Sequence, residues 1–132
     1  MAPDLVQLIE RFEQEHTAVR EALGLLAGLA EAGEAAGLRQ ALPGRAAVLR
    51  AGLDEHSRAE DELLFPALAA VVGPELVGVF AAEHTEILSL RDELYRGDGD
   101  GTAPCLALCA LLESHMEREE LMLFSSAREL LE

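Results

Sequence analysis

The chain has 132 residues, of which 50% are apolar, and a formal net charge of −15; this suits one domain with its own core and argues against disorder. So acidic a chain lacks the basic footprint that nucleic acid or an anionic membrane surface requires, which excludes both as partners. Only 4% of the residues are aromatic, and the apolar share is mostly Ala and Leu, so the composition favours helices over strands.

From the N-terminus, Leu5, Ile9, Phe12, His16, Val19, Leu23, Leu26 and Ala30 advance in alternating steps of four and three. That is the seam of a bundle helix. Pro3 is tolerated at a helix start and Gly33 is a natural stop, which predicts a first helix over about residues 4–32. The second segment repeats the alternation with Leu42, Ala46, Leu49, Leu53, His56, Glu60 and Leu63. Pro43 is expected to mark its first full turn, after an irregular or weakly helical stretch, and Pro66 to end or kink it. A third helix is predicted from near Pro74, with Leu76 or Val77, Phe80, His84, Ile87 or Leu88, and Leu94 on one face. The run RGDGDGTAP reads as a loop. A fourth helix from near Pro104 carries Cys105, Leu108, Leu112, His115, Glu119 and Met122 on its seam.

Short connections make antiparallel neighbours the expectation, hence an all-α, up-down-up-down four-helix bundle forming a single domain over residues 1–132. Counting back from the two hairpins puts His16 level with His56 and His84 level with His115. No apolar run reaches the length of a membrane span, and the charged start differs from a signal peptide; the expected setting is cytoplasmic.

Two repeats stand out. F-x-x-E-H-T occurs at residues 12–17 and 80–85, and H-x-x-x-E-[DE]-x-[LM]-L-F at 56–65 and 115–124. Together they contain all four histidines of the chain. A lone histidine on an apolar face is ordinarily a satisfied core residue, but four His and two Glu at one level would leave a band of desolvated polar groups. A metal centre satisfies them. In His56/Glu60 and His115/Glu119 the spacing of four stacks an imidazole and a carboxylate on successive turns of one face. Mixed imidazole and carboxylate ligation suits Fe, Zn or Mn rather than Ca or Mg. Cys105 and Cys109 lie outside the set and read as small buried side chains, which argues against a structural zinc site. Six ligands suit two ions bridged by Glu60 and Glu119 with two histidines each, leaving open which histidines share an ion.

The ordered set, one His on the first helix, HxxxE on the second, His on the third and HxxxE on the fourth, with LFP after the first HxxxE, resembles the hemerythrin-like (HHE cation-binding) family over nearly the whole chain. The resemblance implies a non-heme di-iron centre with an oxo or hydroxo bridge, held by His16, His56, Glu60, His84, His115 and Glu119. It also implies a small partner, dioxygen, nitric oxide or peroxide. Oxygen-carrying members have two histidines one turn apart on the third helix, whereas Phe80 and Leu88 flank His84 here. Water, a carboxylate such as Glu83 or Glu86, or nothing would take that place. The carriers also have an Asp five residues after the fourth-helix histidine, where this chain has Glu119 four after His115. Four His and two Glu are more similar to the family's di-iron proteins linked to iron-sulfur repair and nitrosative stress. Alternatives to redox chemistry are a metal- or oxygen-responsive regulatory module and a bundle holding one Zn or Fe. Phe12 and Phe80 either wall the pocket or simply pack. Glu15, Asp61, Glu83 and Glu120 adjoin the candidate ligands and either orient imidazoles or stay in solvent.

Overall fold

The computed structural model describes residues 4–97 and 99–131, so Pro3 and Asp98 of the expected loop lie outside the described residues. All regular structure among these residues is helical, with no strand. The α-helical segments are α1 (Leu5–Glu31), α2 (Ala35–Ala41), α3 (Leu53–Ala59), α4 (Phe65–Val72), α5 (Pro74–Arg96), α6 (Thr102–Arg118) and α7 (Ser125–Leu131). A 3-10 turn (Leu42–Arg45) and three π-helical stretches, Ala47–Gly52, Glu60–Leu64 and Glu119–Phe124, join some of them.

The segment count exceeds the four helices read from the seams, for reasons that are local. α1 begins where Asp4 Oδ1 accepts from the Val6 amide at 3.0 Å, an N-cap that satisfies one orphan donor. It stops before Gly33, whose φ of 71° is the left-handed geometry glycine adopts without strain. The stretch before Pro43, expected to be irregular or weakly helical, is the short helix α2, and Pro43 sits in the 3-10 turn that follows. Pro66 neither ends nor interrupts the helical path. It occupies the first turn of α4, where a missing N–H is tolerated. The stop is Gly73, at φ 100°.

The π stretches correct the seam. Each admits one extra residue per turn, so the buried face slips by one position. Leu63 and Met122, both placed on the seam by periodicity, are 43% and 44% exposed, while Leu64, Phe65, Leu123 and Phe124 take the interior.

The Ala47–Gly52 stretch has its own supports. A Cβ at residue 52 would stand 2.8 Å from the Ala47 carbonyl oxygen, so only glycine fits. The wide turn leaves carbonyls to be satisfied from outside, and the buried Arg91 of α5 does so. Its guanidinium donates to the carbonyls of Leu49 (2.9 Å) and Arg50 (3.0 Å), and to Asp54 at 2.8 Å and Asp92 at 2.7 Å.

α1 and α5 both pack on α6, α4 packs on α5 and α7, and α1 also meets α2, α3 and the π stretches of the second arm. The apolar core is divided in two. One cluster gathers Val19, Leu53, Ile87 and Leu112 with their neighbours. The other gathers Ile9, Phe12, Leu64, Phe65, Phe80, Leu123 and Phe124. In every arm a buried histidine or glutamate falls between the two sets.

Candidate metal centre

The dividing layer consists of His16, His56, Glu60, His84, His115 and Glu119, all buried. Heptad spacing carries each imidazole to the inner face. The π stretches begin at Glu60 and at Glu119, so the turn widens where a carboxylate must reach inward.

The arrangement is doubly symmetric in its contacts. Glu60 Oε1 lies 3.1 Å from His56 Nε2 and 3.1 Å from His84 Nε2. Glu119 Oε1 lies 3.0 Å from His16 Nε2, and its Oε2 lies 3.2 Å from His115 Nε2. Ligand atoms from His16, His56, Glu60 and Glu119 fall within 4.8 Å of one another, as do those from Glu60, His84, His115 and Glu119. Both glutamates are common to the two groups. The two groups bring His16 together with His56 (ring centroids 5.1 Å apart) and His84 with His115 (5.3 Å), the pairs that the count from the hairpins placed level.

The outward nitrogens are held as regularly. His16 Nδ1 meets Glu120 at 3.1 Å, His56 Nδ1 meets Glu15 at 2.7 Å, His84 Nδ1 meets Asp61 at 3.1 Å and His115 Nδ1 meets Glu83 at 2.7 Å. An ionised carboxylate only accepts, so each Nδ1 carries the proton and donates. Where Nε2 is protonated as well, as it is when His56 and His84 donate to Glu60, the proton must leave for a metal to bind; the neutral ring then offers Nε2 as a lone pair aimed inward. The four adjoining acids thus orient imidazoles rather than remain free in solvent. Arg20 pairs with Glu120 at 2.7 Å, Arg118 with Glu83 at 2.7 Å and Arg11 with Glu15 at 3.0 Å. The Arg11–Glu15 pair lies one turn apart within α1, whereas Arg20–Glu120 and Arg118–Glu83 cross between elements and carry no spacing signal. Glu83, a candidate for the place of the extra third-helix histidine, is engaged by His115 and Arg118, and Glu86 is exposed.

Inside the layer His84 Nε2 bonds Glu60 Oε1 at 3.1 Å, but several other polar atoms converge without pairing. His16 Nε2, His115 Nε2, Glu60 Oε2 and both Glu119 oxygens are buried with no hydrogen-bond partner among the described residues. Each such group costs on the order of 1–3 kcal/mol if nothing answers it. Titration reflects the same crowding. Burial opposes the charge on His56, but Glu15 and Glu60 outweigh it and raise its pKa to about 10. Burial likewise opposes the charge on His115, where Glu119 and Glu83 prevail and raise the pKa. Burial and the nearby Glu60 charge push Glu119 up. Burial also disfavours ionised Glu60, yet hydrogen bonds from His56 and His84 hold it well below the usual carboxylate range. Two carboxylates in one dry layer do not both ionise freely; cations between them remove that conflict. The donor set fits metal on these grounds.

All four phenylalanines of the chain abut a histidine. Phe12 and Phe80 meet His56 and His115 edge-on at 5.1 and 5.7 Å, and Phe124 and Phe65 stack on His16 and His84 at 5.9 and 5.5 Å. Phe12 and Phe80 therefore wall the site, joined by two rings whose positions the π stretches set. On the opposite side a small cavity touches all four imidazoles and Glu60, and is otherwise lined by Val19, Leu53, Ser57, Ile87, Leu112 and Met116.

No helix of the described residues is long and apolar enough to cross a membrane. Searches of curated proteins and of solved structures returned no match. Residues 7–127, however, match the profile of the Hemerythrin HHE cation binding domain. With that match spanning nearly its whole length, the chain belongs to the hemerythrin HHE cation-binding domain family.

Proposed function

We propose that the protein is a two-metal centre in which His16 and His56 hold one ion, His84 and His115 hold the other, and Glu60 and Glu119 bridge them. In this reading the whole of residues 1–132 is one domain, and its helical segments act as four arms of an up-down-up-down antiparallel bundle around the centre. The observation that carries it is the division of labour on each ring. Every Nδ1 is held by an outer carboxylate, while every Nε2 faces one of two shared glutamates.

Imidazole and carboxylate donors together suit Fe, Zn or Mn, and the likeness to the family's di-iron members makes iron the preferred metal. When bound, an iron pair supplies the redox equivalents that binding dioxygen or reacting with peroxide or nitric oxide requires. The chain's residues do the rest. The outer carboxylates fix the tautomer and ring plane of each imidazole, and the phenylalanines keep water from one side of the layer. The apolar cavity on the other side suits a small, weakly polar ligand.

Purified protein reconstituted with ferrous iron should hold close to two irons per chain and, after exposure to air, show charge-transfer absorption in the near ultraviolet and visible. Uptake of a single ion, with a colourless sample after iron loading, defeats the proposal.

A further inference from the structure

The six buried residues of the layer are not equally remote from solvent. His56 is the most exposed at 8%, against 5% for His84, 2% for His115 and 0% for His16, Glu60 and Glu119. It also lines a surface groove of about 230 Å³ between α1 and the second arm. Val19 and His56 border both this groove and the small cavity inside the layer. Those two side chains are therefore the partition between the groove and the candidate ligands.

The groove is open because its walls are short. Ala18, Ala47 and Gly52 line it, and Gly52 is the residue that the wide turn admits there. The second half of the chain is built otherwise. Leu111 stands four positions before His115, where Gly52 stands four before His56, and Glu86 stands two after His84, where Ala18 stands two after His16. The groove is also acidic. Glu15 and Glu55 line it, and the position matching Glu55 in the second half is Ser114. Arg11 pairs with Glu15 at 3.0 Å, but both side chains remain partly exposed, and an ion pair open to water is weak enough to yield to a divalent cation.

We infer that this groove is the entrance by which divalent cations reach the buried layer: Glu15 and Glu55 draw the ion in, and the His56 side chain turns aside to admit it. A cleft lined by one sign of charge raises the local concentration of the opposite ion and its rate of arrival. Glu15 is also the contact that restrains His56, through Nδ1 at 2.7 Å, so engaging its carboxylate loosens the ring that closes the way. With Leu111 and Ser114 at the corresponding positions of the second half, the layer fills from the His56 side.

This inference rests on the two-metal reading, and rates of loading separate the two. Cobalt(II) is added to the metal-free protein, its arrival at the imidazole and carboxylate donors is followed by visible absorption in stopped flow, and its release is timed with excess chelator. Ala18→Phe fills the groove from an exposed position of α1. It should slow uptake and release by the same factor and so leave stoichiometry and affinity as in the wild type. Glu55→Gln should slow uptake about three- to tenfold at low ionic strength, the low end of what a charged cleft supplies. Glu86→Gln removes the same charge from an exposed position of the second half and should leave the rate nearly unchanged. Uptake at the wild-type rate in either Ala18→Phe or Glu55→Gln overturns the inference. So does a Glu86→Gln protein slowed as much as Glu55→Gln, which would make the field of the whole chain responsible. Should Ala18→Phe not fold, the comparison of Glu55→Gln with Glu86→Gln decides alone. A wild type that binds no cobalt removes the two-metal reading as well, whereas one that loads two ions at a rate indifferent to residues 18 and 55 removes this inference alone.

Discussion

Each histidine is fixed at both nitrogens, and the outer contact decides which nitrogen is offered inward. Glu15 and Glu83 lie 2.7 Å from the rings they hold and are themselves held by Arg11 and Arg118. Hydrogen bonds from His56 to Glu15, and from His115 and Arg118 to Glu83, keep both acids ionised at lower pH than usual. Replacing either by alanine should lower metal affinity about 10- to 100-fold, the usual effect of losing a ligand-orienting carboxylate, measured by competition with a chromogenic chelator. The fold should survive, since both carboxylates are partly solvent-exposed. At this scale the sequence was most legible. The six inner residues were marked by type and spacing, because burying His and Glu on a seam demands a reason. Their outer partners Glu15, Asp61, Glu83 and Glu120 were named only as chain neighbours of the ligands, with an orienting and a surface role both open, because Glu120 reaches His16 and Asp61 reaches His84 across the interior, and no periodicity encodes a contact between distant elements.

At the scale of elements, the wide helical turns separate what periodicity could supply from what it could not. The seam in α1 is regular and was read correctly, from Ile9 through Ala30. Beyond Glu60 and Glu119 the register moved by one, and a repeating pattern cannot announce its own interruption. The only trace was the apolar run Leu63–Leu64–Phe65 and, again, Leu121–Met122–Leu123–Phe124, more than one register of which looks acceptable. The third wide turn, Ala47–Gly52, is open to test. Gly52→Ala should destabilise the protein by about 1–3 kcal/mol, because backbone rather than a flexible side chain stands against the added methyl. Arg91→Met keeps most of the volume but abandons the carbonyls of Leu49 and Arg50. It should cost about 2–3 kcal/mol. Urea denaturation of the two variants checks both figures.

The whole molecule is two apolar cores separated by a polar layer, so its cohesion depends on what satisfies that layer. Metal bound only by the folded chain stabilises it by about 2.7 kcal/mol at a hundredfold excess over Kd. Removing the metal with a chelator should accordingly lower the melting temperature by about 10 °C and speed proteolysis. Calorimetry before and after chelation, with metal restored as the control, decides this; an unchanged melting temperature contradicts a metal that braces the fold. The all-helical class and the family were legible at this scale because composition and motif order express them directly. The number of segments was not, since it depends on how Pro43, Pro66 and the wide turns are absorbed locally.

The contacts of the layer also run between the two halves of the chain that meet at Gly73. Glu60 and Asp61 of the first half hold His84 of the second, and Glu119 and Glu120 of the second hold His16 of the first. Neither half is self-sufficient: separated at Gly73, each would keep three inner ligands but lose the carboxylates on one of its imidazoles. The two pieces produced together should co-purify with metal, while either alone should bind it weakly. An isolated half would recover a full complement of contacts only by facing a second copy of itself, which makes the covalent chain equivalent to a tethered dimer whose two subunits have been free to diverge, as residues 52 and 111 have done.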